Sequence, residues 1–383
     1  MIDKDGNIVV DRSGVETRLL CKQKRYLSRD YDTTGITSPA GRYEADFGQA
    51  LHTELHRGMV DKAGMDANKL SASVYEAVQK NLAPFKNDDH ARHTRREQSC
   101  LASLLVRKWL DVRWPLIQLD HRLIEAEREQ AVVFDPHVYL PKPIAGIMRP
   151  VKMLFRPDTI FERSDGMIFS MDFKTASRAG DDWSIHHSQS LQTYLYSAAM
   201  REIYGDKYGG IWYEGLVKGY REVDNARSSK YQGYTIQYGS PLYAWYKNGK
   251  KCKYVSGAQR DFAFERDNMG WRAFVNSISP EELLITTLPS NPHDTALVVG
   301  QMIVNENAYQ ADLDIIQECP VGSPQRQFYE QVIIERNFHA CYKYGAKHPC
   351  EFVRICHGGP TREEIQQEFI PRVPHHTGEQ EQQ

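Results

Sequence analysis

FSMDFKTAS, Phe169–Ser177, decides how the fold is read. Its apolar residues alternate as in a β-strand: Phe169, Met171 and Phe173 point one way, and Ile168, Ser170, Asp172 and Lys174 the other. Taken alone, the second face reads as solvent-exposed, its acid and base forming a weak surface pair. The neighbouring sequence argues otherwise. FRPDTIF places Asp158 on the preceding strand, and the intervening ERSDG carries Asp165-Gly166, a short-range hairpin signal. Pairing across that turn brings Asp158 within reach of Asp172, and Pro157 marks an interrupted ladder or a strand end. Two carboxylates converging in a partly buried place repel each other, and are expected together chiefly where a divalent cation compensates them. A lysine two residues on can then face a phosphate oxygen or an attacking water.

Outward from this hairpin, IEAEREQAVVF and PVKMLFRPDTIFE read as strands before GMIFSMDFKT. WSIHHSQSLQTYLYSAAMREIYG follows as a helix, because Ile185, Leu191, Leu195 and Ala198 fit its period, and GGIWYEGLVKG as a fourth strand. Towards the N-terminus, SGVETRLLCKQKRYL predicts a helix with Ser13 as N-cap and Val15, Leu19 and Leu20 on one side. ADFGQALHTELHRGM predicts another, with Phe47, Leu51 and Leu55 at i, i+4 and i+8, and Gly48 and His52 one turn apart on an adjoining face. Residues 66–114 read as further helices with the charged run HARHTRRE, His90 to Glu97, between them. Residues 231–256 read as a β-ribbon turning at Asn248-Gly249, and 267–340 as helical with breaks at Pro280, Pro289 and Pro292. The tail PHHTGEQEQQ is expected to be disordered.

The 383 residues can bury a substantial interior, and 26% charged with 41% hydrophobic residues is ordinary for a globular protein. A formal net charge of -2 argues against a polyanion-coating protein, so any nucleic-acid site must be local. MIDKDGNIVVDRSG lacks the basic flank and apolar core of a signal peptide, and no apolar run is long enough to span a bilayer. The expectation is an intracellular, cytoplasmic protein with no membrane partner.

His52 is a candidate third ligand from a helix packed on the sheet, although a lone helical histidine is more often a packing residue. Gln192 and Tyr196, one turn apart on the helix after the strand, can reach the same place. Taken as an ordered set, FGQALH (Gly48, His52), EREQAVVF (Glu127 or Glu129), RPD (Asp158), MDFKT (Asp172, Lys174) and QTYLY (Gln192, Tyr196) are far more specific than any member. The set resembles the PD-(D/E)XK nuclease superfamily, in particular its RecB-like exonuclease branch, which includes the AddB nuclease domain and the CRISPR-associated adaptation exonucleases. The resemblance implies an α/β fold: a restriction-endonuclease-like core, a mixed central sheet flanked by helices. It implies that His52, Asp158 and Asp172 bind Mg²⁺ or Mn²⁺, that Lys174 assists catalysis, and that Gln192 and Tyr196 support the site. It covers about residues 44–218. The chain departs from the family in FRPD, where a Gly shortly before the first acid is usual, and in DFKTA, where D-[FY]-K-T-G is common.

Seven cysteines are an odd number, which argues against a complete disulfide framework and for thiols available to a metal. Cys100, Cys252 and Cys319 read as buried thiols. Cys341, Cys350 and Cys356 in CYKYGAKHPCEFVRIC are less easily dismissed, and His339, His348 and His357 beside them make structural Zn²⁺ a competitor. The resemblance implies more: one branch of the family holds a 4Fe-4S cluster with one cysteine before the core and three after it, the last two separated by five residues. Cys21, Cys341, Cys350 and Cys356 fit that arrangement, although the longer gap before Cys350 departs from several members and leaves Cys319 as a substitute. Such a cluster would tie the chain's ends together.

The domain expectation is therefore an N-terminal helix with the first cluster cysteine (1–43), a nuclease core (44–218) with a helical insertion at about 62–118, a β-ribbon (219–266), a helical C-terminal iron–sulfur region (267–372) and a disordered tail (373–383). The implied activity is a metal-dependent DNA exonuclease acting on single strands or duplex ends in recombination, repair or phage replication, alongside a helicase or recombination partner. Alternatives are a non-cutting nuclease-fold DNA-binding subunit, an endonuclease, and a zinc-stabilised helical interaction protein. Lys22, Lys24, Arg25 and Arg29, and the aromatic Tyr243, Trp245 and Tyr246, are candidate single-strand contacts.

Overall fold

The computed structural model describes residues 2–38, 43–60, 66–81, 89–176, 181–217, 234–236, 243–247, 250–251, 284–341, 350–358 and 361–373. Asn248-Gly249, Cys252, Pro280, His348 and the tail from Pro374 lie outside the described residues, as do the side chains of Phe47, Cys100, Tyr243, Trp245 and Tyr246.

The chain opens with strand β1 (Ile8–Asp11), helix α1 (Arg12–Leu20), helix α2 (Lys22–Arg25), a π-helical turn (Tyr26–Asp30) and strand β2 (Ile36–Thr37), so this segment contributes strands as well as the expected helix. Asp11, not Ser13, caps α1: its carboxylate accepts the Gly14 N–H at 2.5 Å, and the Ser13 hydroxyl turns back to Asp11. Val15 is buried, but Leu19 is exposed, which corrects the expected apolar side.

Three helices follow: α3 (Tyr43–Val60), α4 (Ala67–Asn81) and α5 (Asp89–Gln118). HARHTRRE lies inside α5 and not between helices. Next, β3 (His121–Ala126) and β4 (Gln130–Phe134) are separate strands in different sheets, where alternation alone predicted one. The chain turns between them at Glu127, whose φ of 48° is the left-handed conformation uncommon outside glycine. After short helices α6 (Pro136–Tyr139) and α7 (Lys142–Ala145), PVKMLFRPDTIFE likewise divides into β5 (Val151–Phe155) and β6 (Thr159–Arg163). The break at Arg156-Pro157-Asp158 follows from proline's missing N–H.

Gly166, at φ 82°, turns β6 into β7 (Ile168–Ala176), confirming the hairpin. The expected single helix is two, α8 (Asp181–Ser188) and α9 (Leu191–Tyr204), with Ser190 capping the second through the Thr193 N–H. Strand β8 (Tyr208–Val217) then runs parallel to β7. The ribbon is described only as β9 (Tyr234–Ile236), β10 (Tyr243–Lys247) and β11 (Lys250–Lys251) in antiparallel pairs. Leu284–Thr286, expected within a helical stretch, is strand β12 on the edge of β8. The C-terminal helices are α10 (Thr295–Gln317), α11 (Pro324–Val332), α12 (Phe338–Cys341), α13 (Val353–Gly358) and α14 (Arg362–Glu368), and β13 (Ile370–Pro371) pairs with β2.

The main sheet is mixed, in the order β12-β8-β7-β6-β3, and a second joins β1, β5 and β4. Helices cover both faces. Phe161, Phe169, Met171 and Phe173 pack against Leu51 and Leu55 of α3, Val74 of α4 and Trp109 of α5. Ile160, Ile168 and Tyr213, on the other face, pack against α9, α10 and the second sheet. Burying side chains of this size stabilises by about 1.5–3 kcal/mol each. The exposed face that the strand alone would suggest is therefore ruled out: Ser170 is 0% and Asp172 4% exposed. No helix among the described residues is long and apolar enough to cross a membrane.

Candidate active site

The hairpin register pairs Thr159 with Met171, which sets Asp158 beside the Asp172–Phe173 peptide. Asp158 Oδ2 accepts the Phe173 N–H at 2.7 Å and lies 3.3 Å from His52 Nδ1. Asp172 Oδ1 accepts from Gln192 Nε2 at 2.9 Å, and its other oxygen pairs with Lys174 Nζ. The lysine ammonium also stands over the Tyr213 ring, 5.7 Å from its centroid. Tyr196, one turn beyond Gln192 on α9, packs on Phe155 with ring centroids 5.5 Å apart. All six residues expected at the site therefore line one cleft of about 380 Å³, together with Arg12, Gln49, Glu127 and Arg156.

The main sheet and α3 fix these positions. His52 and His56 are one turn apart on α3, and both rings lie against Phe173 at 6.1 Å between centroids. Gly48 sits one turn before His52, where an added Cβ would be 3.9 Å from Thr175 Oγ1, an ordinary contact. His56 was missed in the sequence, although H-x-x-x-H on one helix face was the available signal. Its Nδ1 stands 2.7 Å from Glu127 Oε1. Of the two glutamates in EREQAVVF, Glu127 enters the cleft: its left-handed backbone turns the chain here, and its N–H donates to the Asp158 carbonyl at 3.0 Å.

The electrostatics push the two aspartates apart. Burial opposes the Asp158 charge, but His52 outweighs it and holds that carboxyl well below the usual range. Burial and the Asp158 charge both raise the pKa of Asp172. The His52 pKa is raised because Asp158 outweighs the burial that works against its charge. The His56 hydrogen bond lowers the pKa of Glu127, against a smaller effect of burial. One ligand atom each from His56, Glu127 and Asp158 lie within 4.8 Å of one another, the only such trio among the described residues. Carboxylates with one or two imidazoles suit a divalent cation, which relieves the repulsion between buried acids. The trio shares Asp158 with the expected set and brings in His56 and Glu127, while His52 and Asp172 fall outside it.

A second centre forms where the chain's ends meet. Cys21 lies between α1 and α2, Cys341 ends α12, and Cys350 and Cys356 follow; all four are free thiols. Asn337 links the two ends, donating its N–H to Cys21 Sγ at 3.5 Å and its amide to the Leu20 carbonyl at 2.9 Å. The Cys350 N–H donates to the Cys341 carbonyl at 2.7 Å, and His357 Nε2 is 3.6 Å from Cys341 Sγ. Burial raises the thiols of Cys341 and Cys350 and pushes Cys356 up to about 12, with the neighbouring cysteines, Cys21 included, adding to the effect. Cys319 instead directs its sulfur to the Ile315 carbonyl.

The basic cluster after Cys21 is engaged within the protein. Lys22 reaches Asp312, Lys24 reaches Glu351, Arg25 pairs with Asp30 and Arg29 with Asp11, which leaves the ordinary structural reading of these residues the better one. Among known proteins, no family model matches the chain, and no curated protein matches it.

Proposed function

We propose that the protein is a metal-dependent deoxyribonuclease with a restriction-endonuclease-like core, acting as an exonuclease on single-stranded DNA or duplex ends. One observation carries this reading: the hairpin seats Asp158 against Asp172, with Lys174 two residues on, in a cleft lined on its other side by His52 of α3. A parallel β7–β8 pair connected through α8 and α9 supports the core assignment. Asp158, Asp172 and His52, with Glu127 and His56 adjoining, would hold Mg²⁺ or Mn²⁺. Such an ion supplies Lewis-acid polarisation of the phosphate and a nucleophilic water near neutral pH.

The remaining chemistry belongs to the chain. Lys174 orients the attacking water or neutralises charge developing on the phosphate oxygens. Gln192 donates to Asp172 Oδ1 and so fixes its rotamer, while the other oxygen pairs with Lys174. Tyr196, packed on Phe155, forms part of the cleft lining. None of these groups reads base edges, so cleavage without sequence specificity is expected.

Cys21, Cys341, Cys350 and Cys356 are proposed to hold a 4Fe-4S cluster. Support comes from four free thiols gathered where the chain's ends meet, near enough for Cys21 to act on the pKa values of Cys341, Cys350 and Cys356. The cluster's role is to close the chain's ends around the core.

Digestion of end-labelled single- and double-stranded DNA and of closed circular DNA, with Mg²⁺ or Mn²⁺, tests the activity. Cleavage of linear DNA that spares circles and is lost in Lys174→Ala and Asp172→Ala is expected. Equal cleavage by both variants sinks the assignment, and cutting of circles makes the enzyme an endonuclease. Iron content and visible absorption of anaerobically prepared protein test the cluster.

A further inference from the structure

We infer that Arg12 is a further substrate-binding residue of the cleft, contacting a DNA backbone phosphate next to the one that reacts; this rests on the nuclease reading above. Arg12 is the first residue of α1 and lines the same cleft as Asp158, Asp172, Lys174 and Tyr196. Its side chain is 30% exposed.

Nothing in the helix calls for a cation there. A positive side chain in the first turn meets the positive end of the helix dipole, an unfavourable placement by roughly 0.3–1 kcal/mol. Its partner is Glu16, one turn on, at 2.5 Å, and that carboxylate is 58% exposed. Exposed i,i+4 pairs contribute little, so a phosphate, which accepts two parallel N–H bonds from a guanidinium, can displace Glu16 at small cost. The neighbouring arginines are committed elsewhere: Arg18 to Glu306 at 2.8 Å, Arg25 to Asp30 at 3.3 Å and Arg29 to Asp11 at 2.8 Å.

Arg12 is also held in register with the catalytic groups. Asp11 caps α1 and ends β1, which pairs in parallel with β5, the strand that leads through Pro157 to Asp158. Burial works against the Arg12 charge, and the nearby Tyr196, Glu16 and Asp172 outweigh it, so its pKa is raised. The cleft lining carries the acids Glu127, Asp158 and Asp172, so a polyanion needs cations beyond Lys174 and the metal to enter it.

The test is equilibrium binding of a fluorescein-labelled single-stranded oligonucleotide by the full-length protein with Ca²⁺ in place of Mg²⁺, across a salt series, alongside Mn²⁺-dependent cleavage. Arg12→Met is expected to weaken binding roughly tenfold or more and to raise KM with a smaller change in kcat. It should also reduce the slope of log affinity against log salt by about 0.7, the signature of one lost phosphate contact on a single strand. Arg12→Lys should restore the slope but not the full affinity, and Glu16→Gln, which frees the guanidinium, should tighten binding. Unchanged affinity and slope in Arg12→Met, or weaker binding in Glu16→Gln, while the wild type cleaves, overturns the role of Arg12 alone. A wild type that neither binds nor cleaves DNA overturns the nuclease reading with it.

Discussion

The cleft and the cysteine centre solve opposite problems with opposite means. In the cleft, the carboxylates are set by a local pairing: Asp158 and the Phe173 N–H are fifteen residues apart across one hairpin. At the cysteine centre, the Asn337–Cys21 contact spans 316 residues, and the elements that meet there, α2, α12 and α13, have four to six residues each. A local pairing persists without help, whereas a closure of that length carries a large entropy cost and needs a strong bond to hold it. The first centre should therefore govern chemistry, and the second stability.

Variants at the two centres should separate those roles. The largest effect is expected from Cys21→Ser, which removes one link of the proposed cluster between the chain's ends; loop-closure entropy sets an upper bound of about 5 kcal/mol, since the β2–β13 pair and several ion pairs also join those ends. Its thermal midpoint, followed by circular dichroism, should fall steeply while cleavage at low temperature stays within a few fold of wild type. Asp158→Ala should do the reverse, reducing metal-dependent cleavage by about 100- to 1000-fold in a gel assay, with the visible absorption at the cysteine centre unchanged. His56→Ala sharpens the account of the donor set. It should weaken Mn²⁺ binding by roughly 10- to 100-fold in a calorimetric titration, the size expected when a ligand or its orienting partner is lost.

The smallest effect concerns pH. His187 packs on Trp183 and Tyr213, and burial, with Lys174 and His186 adding to it, pushes its pKa down from 6.5 to about 4. The folded protein then binds fewer protons than the unfolded chain between those values, so stability should fall as pH drops from about 6.5 to about 4. His187→Gln should flatten that part of the unfolding-midpoint profile, and an unchanged profile would show that the ring titrates normally.

The sequence was most legible where one strand and one turn did the work. Alternation around Asp172, the Asp165-Gly166 turn and Pro157 located the hairpin, and with it the carboxylate pair. It was less legible where a strand changes sheets. IEAEREQAVVF carries no proline or glycine to mark a break, and only the backbone turn at Glu127 divides it into β3 and β4. His56 escaped notice because its role depends on that same turn delivering Glu127 to it. Lys22 and Lys24 looked available because their partners, Asp312 and Glu351, come from the far end of the chain. Composition does not reveal such distant pairings.

The central claim is that Lys174 acts in the chemical step while Asp158 and Asp172 hold the ion. Mn²⁺ affinity and single-turnover cleavage of an end-labelled oligonucleotide, measured on wild type, Lys174→Ala and Asp172→Ala, test it most directly. Lys174→Ala should keep Mn²⁺ affinity within a few fold and lose cleavage, and Asp172→Ala should lose both. Cleavage at the wild-type rate in either variant would contradict the account.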